Sequence, residues 1–229
     1  MHKHYTWLLF DADGTLFDYE QAEASALQKT FAQFGLPFAP GHLASYRQIN
    51  AQMWHALEAG QITQSVLRVK RFEQLFEALS LPELPPTLST AYLEHLAASA
   101  KLIEGAEGLL RTLHRQYRIG ILTNGLTAVQ RPRVARSAIQ PYITELVISE
   151  EVGCAKPDPA IFDVAFQRMG RPPKAEVLMI GDSLTSDMLG AAHYGLDTCW
   201  YNPDRQPRPQ EIDLTYEISA LSELQPLLA

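Results

Sequence analysis

Five short apolar runs rich in β-forming residues recur along the chain: Trp7 to Phe10, Ile119 to Thr123, Leu146 to Ser149, Val177 to Ile180 and Thr198 to Tyr201. Each of the last four follows a stretch whose apolar residues recur at helical spacing. Strands that alternate with helices in this way pair in parallel, with helices covering both faces of the sheet. The expected class is therefore α/β. The helical stretches carry matching punctuation. Asp158 and Pro159 read as an N-cap and a first helical residue. Ile161, Phe162, Ala165, Phe166 and Met169 then form an apolar stripe that ends at Gly170. Gly195 is placed to end a helix that begins near Ser186. A loop from Pro203 to Pro209 follows the fifth run, then a short strand near Tyr216 to Ile218 and a final helix.

Residues 18–99 read differently. They contain no strand pattern, and apolar residues recur helically at Tyr46, Ile49, Met53 and Leu57, then at Val69, Phe72, Phe76 and Leu79. Gly35-Leu36-Pro37, Gly60 and the run from Pro82 to Pro86 break the stretch into about four helices. So long a helical block exceeds a simple crossover. The expected organisation is a core of residues 1–17 and 100–229, with residues 18–99 inserted as an all-helical cap over the sheet edge.

Composition narrows the function classes. The 229 residues are 46% hydrophobic and 20% charged, the balance of a soluble globular protein. No apolar run approaches the ~18 residues of a membrane span. Met1 to Tyr5 leads directly into the first strand, without the apolar stretch of a signal peptide. The net charge is -7 and no Lys/Arg cluster stands out, which argues against nucleic acid as a partner. Cys154 and Cys199 lack metal-type spacing and read as free thiols in a reducing compartment, the cytoplasm. The histidines show no ligand spacing, and His2 and His4 read as a disordered terminus.

Polar residues gather at the C-terminal ends of the strands, the edge where open α/β sheets bind ligands. The first group is Phe10-Asp11-Ala12-Asp13-Gly14-Thr15-Leu16. Residues two apart on a strand share a side, so Asp11 and Asp13 are expected to face one space. Two carboxylates so close push one toward protonation or draw in a cation. A strand ending in an ordinary Asx turn is the alternative. Thr123-Asn124-Gly125 offers a hydroxyl and backbone N–H groups to phosphate oxygens, although it is also good turn chemistry. Lys156, in Gly153-Cys154-Ala155-Lys156-Pro157-Asp158-Pro159, lies on a proline-flanked loop at the same edge. Asp182, in Gly181-Asp182-Ser183, follows the fourth strand where a hard-cation ligand belongs. Asp187 reads equally as a site residue or as charge complementation of a helix N-terminus.

This ordered set, Asp-x-Asp-Gly-Thr, Thr-Asn, Lys-Pro-Asp-Pro, then Gly-Asp-Ser with a later Asp, resembles the haloacid dehalogenase superfamily over the whole chain. The resemblance implies a Rossmann-like three-layer core, an aspartyl-phosphate intermediate and Mg²⁺, with Mn²⁺ as a substitute. It implies Asp11 as nucleophile and Asp13 as general acid/base. The metal would be held by the Asp11 and Asp182 carboxylates and the backbone carbonyl of Asp13, with Asp187 behind them. Thr123, Asn124 and Lys156 would hold the phosphate. The dehalogenase branch lacks the second Asp, so Asp13 favours phosphoryl chemistry. Three stretches, Phe10 to Asp13, Ile121 to Gly125 and Leu146 to Gly153, most resemble bacterial pyrimidine-type nucleoside 5′-monophosphate phosphatases, as does Thr198-Cys199-Trp200. The expected partner is a small phosphorylated metabolite, a nucleoside monophosphate. A sugar-phosphate phosphatase, a phosphomutase and a binding module without turnover are the alternatives. In the cap, Trp54, Tyr46, Arg68 and Arg71 are candidates to face substrate, against the reading that the aromatics are core and the arginines solvated.

Overall fold

In the computed structural model the described residues are 4–82, 85–208 and 210–228. The expectations for His2, for residues 83 and 84 of the proline-rich break and for Pro209 fall outside them. Six strands form one sheet: β1 (Trp7–Phe10), β2 (Arg118–Thr123), β3 (Glu145–Ile148), β4 (Val177–Gly181), β5 (Asp197–Tyr201) and β6 (Tyr216–Ile218). Their order is β3-β2-β1-β4-β5-β6. Every pairing is parallel, so the C-terminal ends of all strands lie along one edge.

The alternation of side chains along each strand divides the core into two layers. Leu8, Phe10, Ile119, Ile121, Leu178, Ile180 and Cys199 point to one face, where α5 (Ala106–Leu113) contributes Leu109, Leu110 and Leu113. Trp7, Leu9, Leu122, Val147, Met179 and Trp200 point to the other. There α8 (Pro159–Arg168) inserts Ile161, Phe162, Ala165 and Phe166. All four residues of β1 are buried, as expected of a central strand covered on both faces. The result is a three-layer α/β fold. Asp158 caps α8 by accepting the Ala160 N–H at 2.9 Å. The segment after β4 starts earlier than its sequence pattern suggests. A π-helical turn spans Leu184–Met188, continues as α9 (Leu189–Tyr194) and ends at Gly195.

The remaining helices are α1 (Tyr19–Gln33), α2 (Pro40–Glu58), α3 (Gln64–Ala78), α4 (Leu88–Ala98), α6 (Thr127–Arg136), α7 (Ser149–Val152) and α10 (Leu224–Leu227). The chain divides into two compact units. One holds the residues up to Tyr19, then Ala100–Thr127 and the chain from Val134 onward; the other holds Glu20–Ser99 with Ala128–Arg133. The second unit is helical and has its own aromatic centre. Tyr46 stacks on Phe72 with ring centroids 5.6 Å apart, and Tyr92 meets Phe72 edge-on at 5.1 Å. No helix among the described residues is long and apolar enough to cross a membrane.

Candidate active site

β1 ends at Phe10, but the sheet ladder runs one residue further: Asp11 donates its N–H to the Ile180 carbonyl at 2.8 Å. The chain then turns sharply. The N–H groups of Leu16 and Phe17 both bond to the Ala12 carbonyl, and the Gly14 N–H bonds to the Phe17 carbonyl. Asp13 therefore lies in the turn, half-buried, and not on the strand. Strand alternation accounts for Asp11 alone; the turn sets the direction of Asp13. Gly14 has φ +84°, and a Cβ there would lie 2.5 Å from an Asp182 carboxylate oxygen. Only glycine satisfies both the backbone and the close approach of Asp182.

The Lys156 side chain is 1% exposed and reaches under the sheet edge. Its Nζ donates to Asp11 Oδ1 at 2.5 Å, to Asp187 Oδ1 at 2.6 Å and to the Leu122 carbonyl at 2.7 Å. An ammonium has three N–H bonds, so its donors are filled. Asp187 is buried as well, and its other oxygen accepts the Ser183 N–H at 3.1 Å. The helix-terminus reading of Asp187 gives way to an ion pair with Lys156. Asp182 accepts from the Thr15 hydroxyl at 3.0 Å, and its carbonyl accepts from the Trp200 indole at 3.0 Å.

Asp11, Asp182 and Asp187 each offer a carboxylate oxygen, and these oxygens lie within 4.8 Å of one another. Burial pushes the Asp11 carboxyl well above the usual carboxylate range; Lys156 opposes this, while Asp187 and Asp182 add to it. Asp182 is pushed up to about 7, first by burial and then by Asp187, against the Thr15 hydrogen bond. Burial works against the Lys156 charge, yet Asp11 and Asp187 together raise its pKa above the ordinary lysine value. Three carboxylates face one ammonium here. The excess of negative charge and the all-oxygen donor set fit a small divalent hard cation.

Of the phosphate-binding candidates, Thr123 is buried at the end of β2, and its Oγ1 accepts the Gly125 N–H at 3.1 Å. The hydroxyl proton remains to be donated. Asn124 is placed differently from the expectation. Its amide is engaged with the backbone of Lys156, donating to the carbonyl and accepting from the N–H, both at 2.8 Å. Asp11, Lys156, Asp182 and Asp187 are thus brought together, Thr123 and Asn124 flank them, and Asp13 stands in the adjoining turn. In the helical unit, Tyr46 is core. Arg71 is also buried, its guanidinium 4.9 Å from the Tyr92 ring centroid and bonded to Asn50 at 3.1 Å. Trp54 and Arg68 are half-buried. Sequence reasoning missed Thr15, Trp200, Ser149 and the Leu122 carbonyl. The first three lie inside quoted motifs, but a backbone carbonyl leaves no mark in a sequence.

Residues 5–195 match the haloacid dehalogenase-like hydrolase family. The chain is 38% identical over 222 residues to the pyrimidine 5′-nucleotidase YjjG of Escherichia coli K12, covering 97% of each chain. It is 34% identical to the pyrimidine 5′-nucleotidase PynA of Streptococcus pneumoniae R6, covering 96% of this chain and 93% of that one. The crystal structure of the hydrolase YfnB of Bacillus subtilis, bound to magnesium, superposes with a TM-score of 0.93 at 37% identity, over 99% of each chain. A parallel sheet that places Asp11, Lys156, Asp182 and Asp187 at one edge, and a family match over most of the chain, lead to one assignment: the chain belongs to the haloacid dehalogenase-like hydrolases.

Proposed function

We propose that the chain is a Mg²⁺-dependent phosphatase that hydrolyses nucleoside 5′-monophosphates, pyrimidine ones first, through an aspartyl phosphate on Asp11. The observation that carries the reading is Asp11 itself, held at the end of the central strand against a buried Lys156 at 2.5 Å. YjjG and PynA, named as pyrimidine 5′-nucleotidases, support the substrate class. The helical unit is the proposed cap that selects the leaving group, and two free thiols suit the cytoplasm.

The difficulty of the reaction is an anion attacking an anion. Two unit charges 4 Å apart repel by about 4 kcal/mol at an effective dielectric of 20, and a phosphate dianion roughly doubles that. The carboxylates of Asp11 and Asp182 and the backbone carbonyl of Asp13 would hold Mg²⁺, with Asp187 beside them. Bound there, the ion would supply positive charge to offset the negative charge of the carboxylates and the phosphate. An Asp11 oxygen attacks phosphorus, the ester P–O bond breaks, and the Asp13 carboxyl protonates the leaving oxygen. Asp13 then takes a proton from water, which attacks the phosphorus and releases Asp11. Such acid/base assistance contributes typically ~10²–10⁴-fold. The Thr123 hydroxyl and adjacent N–H groups stabilise the equatorial oxygens. Lys156 offers the phosphate an N–H only by exchanging one of its three present acceptors, and Asp11 is the one whose charge changes.

A panel of nucleoside monophosphates and sugar phosphates with Mg²⁺ or Mn²⁺ tests the substrate class. Release of phosphate from UMP, CMP or dTMP ahead of purine nucleotides and sugar phosphates is the expected result. Preference for sugar phosphates with nucleotides untouched would remove the nucleotidase reading and keep the phosphatase.

A further inference from the structure

We infer that Asn124 is a positioning residue that fixes Lys156 through its backbone, and that Ser149 in turn fixes Asn124. Asn124 lies just past β2, and Lys156 follows 32 residues later on a separate loop at the same sheet edge. The Asn124 amide spans one residue of that loop: Nδ2 donates to the Lys156 carbonyl and Oδ1 accepts the Lys156 N–H, each at 2.8 Å. Only one orientation of the amide satisfies both bonds, so its O and N positions follow from the network. The buried Ser149 hydroxyl donates to the Asn124 carbonyl at 3.0 Å, joining the residue after β3 to the same chain of contacts. The Thr127 N–H bonds to Glu150 at 2.8 Å and ties the segments after β2 and β3 together a second time.

The need for such a clamp lies in lysine itself. Its stem has four carbons and freely rotating donors, so a buried ammonium is localised only if both ends of the residue are held. Asp187 and the Leu122 carbonyl hold one end; Asn124 holds the other. When Asp11 takes up the phosphoryl group its carboxylate charge is lost, and the N–H that it accepted turns to the phosphoryl oxygens. Lys156 keeps its place during that exchange because Asp187, Leu122 and Asn124 do not change. This step rests on the phosphatase reading; the clamp itself does not.

The test uses the full chain, free of metal and phosphate, and follows amide hydrogen exchange of Lys156 at residue resolution. Asn124→Ala is expected to lower Lys156 protection by at least about tenfold, with β1 and β4 amides unchanged. Asn124→Asp keeps the acceptor for the Lys156 N–H but loses the donor to the Lys156 carbonyl, and is expected to retain part of that protection. Turnover should follow the same order, with Asn124→Ala losing about 10²-fold, the scale for a misplaced reacting group, and Asn124→Asp losing less. A phosphate-contacting role predicts the reverse: unchanged Lys156 protection in Asn124→Ala, and Asn124→Asp the slower enzyme because its carboxylate repels the substrate. Unchanged protection would overturn the clamp whatever the activity. Lost protection in a chain that hydrolyses no phosphate ester would uphold the clamp and overturn the phosphatase reading. Should Asn124→Ala not fold, Asn124→Ser, whose short side chain reaches neither backbone group, takes its place.

Discussion

The ammonium of Lys156 is buried against two carboxylates and one carbonyl, which sets the cost of losing it. Removing one partner of a buried ion pair typically costs about 3–5 kcal/mol, because the remaining charge is left without compensation. Lys156→Met keeps the length and loses the charge. It should lower stability in urea unfolding by an amount in that range and lose turnover. An equally stable variant would show that Asp11 and Asp187 manage without it. At this scale the sequence showed which residues gather at the sheet edge better than what each one touches. Asp11 and Asp182 are legible because each directly follows a strand, and Lys156 because its proline-flanked loop comes between them in a recognisable order. The contact of Asn124 with Lys156 is not, since it bridges 32 residues of chain and uses backbone atoms. Nor is the turn at Asp13, where strand spacing was extended past the last strand residue.

Among the elements, α9 meets the residue after Lys156 at Gly190. A Cβ there would lie 3.0 Å from Pro157 Cα and 3.1 Å from a Phe162 ring carbon. Gly190→Ala must shift the helix or the loop, and overpacking of this kind costs typically about 1–3 kcal/mol. Denaturant unfolding should show that loss, and turnover should fall with it because the displaced loop carries Lys156. Unaltered stability and rate would mean that the contact relaxes freely. The elements themselves were largely readable. β1 matches its apolar run residue for residue, since every side chain in it is buried. β2 and β5 begin one residue earlier than their apolar runs, at Arg118 and Asp197, because polar residues at strand starts carry ladder bonds without an apolar signal. The helix before Gly195 was placed from Ser186, but Ser183 caps the preceding turn by accepting the Ser186 N–H at 3.2 Å.

The molecule as a whole rests on a sheet buried on both faces, and its stability should reflect what that core excludes. Burial pushes the Cys199 thiol from 9.0 up to about 12. The unfolded chain gives up this proton near pH 9 while the folded chain keeps it, so the unfolded state binds fewer protons between the two values. That contribution is fully present below about pH 9 and is lost as pH rises toward 12, at up to about 1.4 kcal/mol per pH unit. Urea midpoints between pH 8 and pH 10.5 should fall for the wild type and fall less steeply for Cys199→Ala. Parallel slopes would contradict the burial of this thiol. The proposed mechanism requires Asp11 to carry the phosphoryl group, which acid quenching during turnover of a nucleoside monophosphate, followed by peptide mass spectrometry, detects. A phosphoryl adduct on Asp11, absent in a folded and inactive Asp11→Asn variant, is the predicted result. Turnover without any adduct at Asp11, or an active Asp11→Asn variant, would contradict it.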